Sequence, residues 1–289
     1  SLDVEAAMRT RSIILPIGPL LHHVRTFSLP QAGGCRLGAR TVKPHFYALE
    51  ELGVSIHATN KTYEVSHDGL SPSEVILYES GDTVTENAVM AAALSPGTTT
   101  LKYASANYMV QDLCHFLALC GVKIDGIGTT TLTIHGVEEI DTTIEYAVSE
   151  DPIEAMFLIA AAIVTRSSIT IEGAPLDFLE LELLKLRVMG LRYRIINERV
   201  GENGAVRLGD IKLRPSRLVA LEEKIDARPY PGLNIDNLPF FAVIATQTEG
   251  TTFIHDWVYE KRAIHYKELD KLGADTLLAD PHRIYITGP

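Results

Sequence analysis

The sequence predicts an α/β fold built from four repeated units, with apolar helices inside and β-sheets outside. Four similar segments each end a helical stretch with a glycine, at Gly53, Gly121, Gly190 and Gly273, and these glycines are 68, 69 and 83 residues apart. The first helical stretch of a unit is apolar on every face, and the strand-like stretches alternate apolar and polar residues. Near-equal spacing of the segments argues against a chance similarity.

Each unit is predicted to contain an apolar helix, a short strand, an amphipathic helix and then alternating strands. Residues 88–94 and 155–164 show the first helix most clearly. A helix without a polar face is expected to be buried on all sides. The second helix keeps a polar side, and its closing glycine is expected to take the left-handed conformation that ends many helices. Residues 130–135 and 283–286 alternate and are predicted strands.

Three short stretches are interpreted without a catalytic role. Residues 126–128 (Gly-Ile-Gly) lack the third glycine and the helix of a dinucleotide-binding loop, so a hairpin turn is predicted there. Residues 203–204 (Asn-Gly) stand between two strand-like stretches and predict a second hairpin turn. Residues 22–23 (His-His) lack the continuation of a metalloprotease motif and are interpreted as a solvated helix end.

Composition and charge exclude several classes of protein. The 289 residues suit one large domain or two ordinary ones, and 46% hydrophobic with 22% charged residues is typical of a globular protein. A net charge of -11 argues against nucleic acid or an anionic membrane as partner, so any anionic substrate must be held by local groups. The apolar runs are too short to span a membrane. Three cysteines are too few for a disulfide framework, so a reducing cytoplasm is expected.

A glycine-rich loop at residues 31–40 is the most distinctive local feature. Cys35 follows two glycines there, and Arg40 stands five residues later. A nearby guanidinium favours the thiolate and can hold an anion, which is typical of a reactive site, whereas a buried inert thiol is the common alternative. The other cysteines, Cys114 and Cys120, share an amphipathic helix with His115. Their spacing fits no usual zinc site, and they are interpreted as core or helix surface.

A series of short motifs occurs in order along the chain. They are Arg11-Ser12-Ile13, Gly18-Pro19-Leu20, Leu29-Pro30, Gly33-Gly34-Cys35-Arg36-Leu37-Gly38-Ala39-Arg40, Thr85-Glu86-Asn87, Asp151-Pro152-Ile153-Glu154-Ala155, the segment from Tyr230-Pro231-Gly232 to Asp236, and Val258-Tyr259-Glu260-Lys261-Arg262-Ala263-Ile264-His265. Together they resemble the enolpyruvyl transferase family over nearly the whole chain. Several ordered motifs are much more specific than any single one.

The resemblance implies a two-domain inside-out α/β barrel with three repeats in each domain, of which about four of six are present here. Residues 1–148 would form the later part of the first domain and residues 149–289 the earlier part of the second, with the active site in the cleft between domains. The family's N-terminal Lys-Asn segment and its C-terminal Asp-Leu-Arg and arginine segments have no counterpart in the sequence. Because the chain also opens at Ser1 without a methionine and stops at Pro289 just after a predicted strand, it is expected to be a piece of a longer protein.

The reaction implied by the resemblance is enolpyruvyl transfer from phosphoenolpyruvate to the 3-hydroxyl of UDP-N-acetylglucosamine, with release of phosphate. This is the first committed step of peptidoglycan synthesis, and it needs no redox cofactor and no metal. The chemistry requires an acid for the methylene carbon, a base for the sugar hydroxyl and cations around two anions. Cys35 matches the family's proton donor and Asp236 its base. A helix N-cap is the alternative role for Asp236.

The resemblance also assigns the binding residues. Arg40 and Arg11 match positions on phosphoenolpyruvate and the diphosphate side, where guanidinium groups suit oxyanions. The remaining predicted substrate-binding residues are Thr41, Val42, Lys43 and Pro44 in the uracil-binding run, Asp82 and Thr83 by the nucleotide, and Val258 and Tyr259 at the sugar-nucleotide pocket. Glu260 and Arg262 are interpreted as structural. Lys43 replaces an acid and Asn107 a glutamate of the family pattern, and these changes affect the nucleotide half of the substrate.

Two other functions remain open at this point. One is a divergent paralogue acting on another hydroxyl acceptor, such as shikimate 3-phosphate, and the other is a non-catalytic sugar-nucleotide binding protein. Independently of the family, buried helices beginning near Thr85, Asp151 and Asp236 are expected to present positive dipole ends to anionic substrates. The sequence leaves the oligomeric state open.

Overall fold

The computed structural model describes residues 3–33 and 41–289, and the chain divides into two compact units, Ser1–Tyr146 and Ala147–Pro289. Both units are mixed α/β, as predicted. The assignment of residues 1–148 and 149–289 to parts of two enolpyruvyl transferase domains stays a prediction.

The first unit contains two rounds of the repeat. Its elements are α1 (Val4–Ala7), a 3-10 turn (Ser12–Ile14), α2 (Ile17–Leu20), β1 (Thr26–Pro30), α3 (Lys43–Glu50), β2 (Val54–Ala58), β3 (Thr62–His67), β4 (Glu74–Ile76), α4 (Asp82–Ala93), β5 (Gly97–Lys102), α5 (Tyr108–Leu119), β6 (Lys123–Asp125) and β7 (Thr131–Gly136). The predicted strand at residues 130–135 is β7, and residues 126–128 form the turn between β6 and β7.

The second unit contains two further rounds. Its elements are α6 (Pro152–Val164), β8 (Thr170–Pro175), a 3-10 turn (Leu176–Phe178), α7 (Glu180–Val188), β9 (Arg192–Val200), β10 (Arg207–Arg214), β11 (Ile225–Asp226), a 3-10 turn (Ile235–Asn237), α8 (Leu238–Ala245), β12 (Thr251–His255), α9 (Arg262–His265), a 3-10 helix (Tyr266–Leu272), β13 (Asp275–Asp280) and β14 (Arg283–Thr287). Residues 203–204 lie in the hairpin loop between β9 and β10, and residues 283–286 lie in β14, as predicted.

All four sheets of the described residues share one topology. A strand that follows the apolar helix pairs antiparallel with the last strand of a hairpin, which gives the orders β1-β3-β2, β5-β7-β6, β8-β10-β9 and β12-β14-β13. In the second and fourth sheets a short parallel strand, β4 or β11, is added at one edge. Each of these sheets is open, so none of the described residues form a closed barrel.

The closing glycines behave as the sequence predicts. Gly53, Gly121, Gly190 and Gly273 all have φ between 87° and 108° at the end of the second helix or 3-10 segment of their repeat. A side chain is unfavourable in that conformation, so glycine ends the helix at little cost. Cys114 also lies where the sequence places it, fully buried on α5, and burial raises the pKa of its thiol to about 12.

Two interpretations from the sequence are wrong in detail. The apolar helix α6 is not buried all round, because Phe157 is 54% exposed; α6 packs on α8 and β8, and these contacts cover only part of its circumference. Residues 22–23 are not simply a solvated helix end. The His22 Nε2 lies 3.0 Å from the Met90 carbonyl at the end of α4, and burial lowers the pKa of this histidine.

Candidate functional site

The predicted binding residues of the first unit lie beside one another. Arg11 precedes the first 3-10 turn, and its Nη2 donates to the Thr41 carbonyl at 2.9 Å. The Thr41 hydroxyl accepts the Lys43 backbone N–H at 3.2 Å, where α3 begins. Pro44 stands in the first turn of that helix, whose free amide positions tolerate proline. Arg11 and the start of the predicted uracil-binding run therefore lie side by side, although Arg11 and Thr41 are 30 residues apart, whereas Pro44 of that run is buried.

A buried histidine joins this surface to the start of α4. His45 is 1% exposed, and its Nε2 lies 3.4 Å from the hydroxyl of Thr83. Its Nδ1 lies 3.2 Å from the Asn87 amide nitrogen, which can only donate, so Nδ1 accepts and the proton sits on Nε2. Burial, and then the charge of Arg11, lower the pKa of His45 to about 4. The ring is therefore neutral at physiological pH and acts as a fixed link between α3 and α4.

Asn87 completes this link from inside the core. Its amide nitrogen also donates to the Ile14 carbonyl at 2.9 Å, and its Oδ1 accepts the Gly18 N–H at 2.7 Å. A Cβ on Gly18 would lie 2.7 Å from the Asn87 carbonyl, so only glycine permits this approach. One side chain thus joins the segment after Arg11, the histidine of α3 and the buried helix α4.

The first residue of α4 is held by two polar side chains. The Asp82 carboxylate accepts the Ser105 hydroxyl at 2.5 Å and the Asn107 amide at 3.1 Å. A carboxylate at a helix N-terminus is favoured by the helix dipole. α4 begins at Asp82 rather than near Thr85, and an acid of the chain already occupies its positive end. One turn later, burial and the charge of Asp82 raise the pKa of Glu86 to about 7.

Asp236 in the second unit does not have the capping role that its sequence position allowed. The Asn234 side chain caps the 3-10 turn by accepting the Asp236 N–H at 2.9 Å, and α8 begins only at Leu238. The Asp236 side chain is 45% exposed, and its Oδ1 lies 3.3 Å from Nη1 of Arg262. A partly exposed carboxylate beside a guanidinium can bind a hydroxyl and accept its proton.

Arg262 is the centre of a buried ionic network. Its Nε and Nη2 donate to the two carboxylate oxygens of Asp256 at 2.5 and 3.1 Å, and Tyr266 donates its hydroxyl to the same carboxylate at 2.7 Å. Asp256 is fully buried and Arg262 is 7% exposed. The guanidinium also lies 4.6 Å from the ring centre of Tyr259, a cation–π contact. Two predicted site residues, Asp236 and Tyr259, therefore contact the same guanidinium.

A second buried carboxyl group supports the turn that carries Asp236. The Glu182 Oε1 on α7 accepts the backbone N–H of Asn234 at 3.1 Å and the amide of Asn237 at 2.8 Å. Burial raises the pKa of Glu182. Glu182 thus holds the turn on both sides of Asp236, and Arg262 contacts the Asp236 carboxylate.

The structure describes only some of the remaining predicted site residues. Cys35 and Arg40 lie outside the described residues, and their roles stay predictions. The preceding segment is attached to the first sheet, since the Gln31 side chain donates to the Thr59 carbonyl at 2.5 Å and the Ala32 N–H donates to the Tyr63 hydroxyl at 3.2 Å. Val258 and Lys43 are exposed.

Sequence reasoning missed the residues that hold the site together. His45 directly follows the predicted run 41–44, but no pattern indicated that its ring would contact α4. Asp256 and Tyr266 flank the motif at residues 258–265, and only the short spacing from Arg262 could have suggested them.

Among residues 3–33 and 41–289, no cluster of three or more His, Cys, Asp or Glu side chains is arranged to hold a metal ion. No helix in the same ranges is long and apolar enough to cross a membrane.

Known structures share this fold. The enolpyruvyl transferase NikO from Streptomyces tendae superimposes with a TM-score of 0.82 at 22% identity, covering 100% of this chain and 66% of that one. An EPSP synthase from Acinetobacter baumannii gives a TM-score of 0.72 at 19% identity, covering 96% and 64% of the two chains. The repeated units thus define the fold of the enolpyruvyl transferases.

Sequence comparison gives the family. The family model of EPSP synthase (3-phosphoshikimate 1-carboxyvinyltransferase) matches residues 5–287, so the chain belongs to the EPSP synthase family. Two relatives named UDP-N-acetylglucosamine 1-carboxyvinyltransferase, from Treponema pallidum and Treponema denticola, are 34% and 35% identical over 99% of this chain. The chain spans 66% of the length of each of these two relatives.

Proposed function

We propose that the protein transfers the enolpyruvyl group of phosphoenolpyruvate to the 3-hydroxyl of UDP-N-acetylglucosamine and releases phosphate. The observation that carries this proposal is the 34–35% identity, over nearly the whole chain, to relatives that bear the name of this transferase. The reaction would take place in the cytoplasm and supply peptidoglycan synthesis. Its substrates are small molecules, and it needs no cofactor.

The surroundings of Asp236 support its role as the base. The carboxylate is partly exposed, as a group that must reach a substrate hydroxyl has to be. The guanidinium of Arg262 lies 3.3 Å from the Asp236 Oδ1 and holds the carboxylate in place. The turn that carries Asp236 is fixed by Glu182, so the carboxylate is held before substrate arrives.

The proposed chemistry is an addition followed by an elimination. Asp236 takes the proton of the sugar hydroxyl while the oxygen of that hydroxyl attacks the enol carbon. The Cys35 thiol protonates the methylene carbon and becomes a thiolate. The Cys35 thiolate then takes a proton from the resulting methyl group, phosphate leaves and the double bond is restored. These proton transfers are general acid–base steps, which typically contribute about 10²–10⁴-fold to a rate.

The first unit would bind the nucleotide half of the acceptor. Arg11 and Arg40 would hold phosphate oxygens, and the surface from Thr41 to Pro44 would receive the base next to Asp82 and Thr83. The contacts of Arg11 with Thr41 and of His45 with Thr83 support a common surface for these residues. Val258 and Tyr259 of the second unit would contact the sugar nucleotide.

Phosphate release from phosphoenolpyruvate, with and without UDP-N-acetylglucosamine, tests the proposal on the full-length protein. We expect release that depends on the acceptor and falls about 10²–10⁴-fold in Asp236→Asn and in Cys35→Ala. Cys120→Ala and Asp125→Asn are matched controls at positions away from the proposed site and should retain activity. Unchanged rates in both site variants would remove the assignment of Cys35 and Asp236.

The acceptor is tested separately. Labelled UDP-N-acetylglucosamine and labelled shikimate 3-phosphate are offered at equal concentrations, and binding is measured with phosphoenolpyruvate absent. Preference for UDP-N-acetylglucosamine supports the proposal, whereas preference for shikimate 3-phosphate would overturn the acceptor assignment.

A further inference from the structure

The first unit has an open pocket of about 320 Å³ at the C-terminal ends of α2 and α4. Its walls come from the turn after α2, from the end of β3 and from the residues that follow α4. Because α4 has 12 residues that each rise 1.5 Å, the pocket lies about 18 Å from Asp82, at the opposite end of that helix. The pocket is therefore separate from the proposed nucleotide surface.

Polar groups in this pocket lack partners within the described part of the chain. Both ring nitrogens of His67 and the hydroxyl of Ser95 are buried there without a hydrogen bond. Ser95 is 2% exposed. Buried polar atoms in folded proteins nearly always have a partner, so atoms of this kind point to a group that the chain itself does not provide.

The remaining polar lining carries or can acquire positive charge. His22, His23 and Arg25 lie in the turn after α2, and among the described residues that line the pocket none is acidic. Arg25 forms no ion pair with any described residue. Burial lowers the pKa of His22, and the charges of His23 and His67 lower it further. An anion beside His22 would oppose these effects.

Other groups around the pocket decide what kind of ligand fits. The final carbonyls of α4 disfavour an anion, but the Met90 carbonyl is already taken up by His22 Nε2. Asp68 follows His67 in the chain and is exposed, outside the lining. The three imidazoles are not arranged around a metal ion. Leucine, proline, valine and glycine residues form the rest of the wall. The pocket is therefore larger and more apolar than a free phosphate requires.

We propose that this pocket binds a small molecule that carries a phosphate monoester on an apolar body. Arg25 and the imidazole rings of His22, His23 and His67 hold the phosphate oxygens, and Ser95 donates its hydroxyl. The apolar body rests on the leucine and proline wall. This site is additional to the proposed catalytic function and does not depend on it.

Phenyl phosphate is a suitable probe, with inorganic phosphate, benzoate and benzyl alcohol as comparisons. Binding to the full chain is measured by calorimetry, and the histidine ring signals are followed by NMR. We expect phenyl phosphate to bind more tightly than the three comparison compounds and to move the signals of His22 and His67.

Two variants locate the binding. Arg25→Gln and His67→Gln should each weaken the binding of phenyl phosphate about tenfold or more, which is the loss expected for a hydrogen bond to a charged group. Arg194→Gln and His57→Gln, both exposed and outside the pocket lining, should bind as the unchanged protein does. Arg25 is exposed, so its variant remains informative if His67→Gln fails to fold, as checked by circular dichroism.

Several results would overturn the proposal. They are the absence of binding at millimolar phenyl phosphate, and equal affinity in Arg25→Gln and the unchanged protein. Benzoate that binds as tightly as phenyl phosphate would overturn the assignment to phosphate. Benzyl alcohol that does so would show that the apolar wall alone accounts for binding.

Discussion

Removing the Asp256 carboxylate should destabilise the second unit severely. In Asp256→Ala the guanidinium of Arg262, only 7% exposed, loses both of its contacts with the Asp256 carboxylate. It stays buried and keeps the partly exposed Asp236 carboxylate and the Ile235 carbonyl as acceptors. Breaking one side of a buried ion pair costs about 3–5 kcal/mol, because the remaining charge stays desolvated. Tyr266 also loses the acceptor of its hydroxyl, which places the expected loss toward the upper end of that range.

The single tryptophan of the chain makes the measurement specific. Trp257 follows Asp256 directly, and its indole N–H donates to the Ala227 carbonyl at 2.9 Å, so its fluorescence reports the unfolding of this region. The free energy of unfolding is obtained from urea titrations at neutral pH. The variant should unfold at a much lower urea concentration without a large change in slope.

Two comparisons make the reasoning refutable. Asp177→Ala removes one carboxylate from the exposed network around Arg207 and should cost at most about 1 kcal/mol. In a background that already carries Arg262→Ala, the change Asp256→Ala should cost far less than in the unchanged protein, since no buried cation is left behind. A loss under about 1 kcal/mol for Asp256→Ala alone, or equal losses in both backgrounds, would show that the network does not work as described.

Three further predictions concern the first unit. Folding raises the pKa of Glu86 to about 7 from an ordinary value of 4.5, so the native state binds this proton more tightly and stability falls as the pH rises between these values. Glu86→Gln should therefore raise the melting temperature at about pH 8 and much less at about pH 5. An equal change at both pH values would contradict this. Because Cys114 is buried and Cys120 is not, Cys114 should resist maleimide in the native protein while Cys120 reacts. Mass spectrometry of the labelled peptides measures this, and equal labelling of the two cysteines would contradict the burial of Cys114. Gly136→Ala places a Cβ 1.9 Å from a backbone oxygen, whereas the Cβ of Gly121→Ala meets no atom within 4 Å and adds only left-handed backbone strain of about 1–2 kcal/mol. Gly136→Ala should therefore lower the free energy of unfolding more than Gly121→Ala does. The opposite order in thermal unfolding would refute the packing argument.

The repeat could be predicted from the sequence because its signals are local. A glycine after an amphipathic helix indicates a left-handed residue whatever lies around it, and all four closing glycines have that conformation. The exposure of Phe157 could not be predicted in this way, because an apolar helix face shows only that burial is favourable. How much of α6 is covered depends on the number of neighbours that pack against it.

The site was predictable where a residue type implies chemistry and unpredictable where partners are distant in sequence. The sequence identified Asp236 as a carboxylate suited to proton transfer. In the structure, however, the side chain that caps the 3-10 turn is that of Asn234, two residues earlier. The link from His45 to Asn87 spans 42 residues and carries no pattern of its own. The same limit applies to His22, whose contact with the end of α4 changes a solvated helix end into part of a pocket wall.

The common strand order of the repeats also affects how the chain folds during synthesis. In each repeat the strand made last, such as β3 or β7, lies between two earlier strands, and one of these, β1 or β5, precedes it by a whole helix. On a ribosome this earlier strand therefore has an unpaired edge until the hairpin that follows has emerged. We expect the nascent chain to acquire resistance to protease in steps, one for each completed repeat, with the longest wait where the closing glycines are most widely spaced.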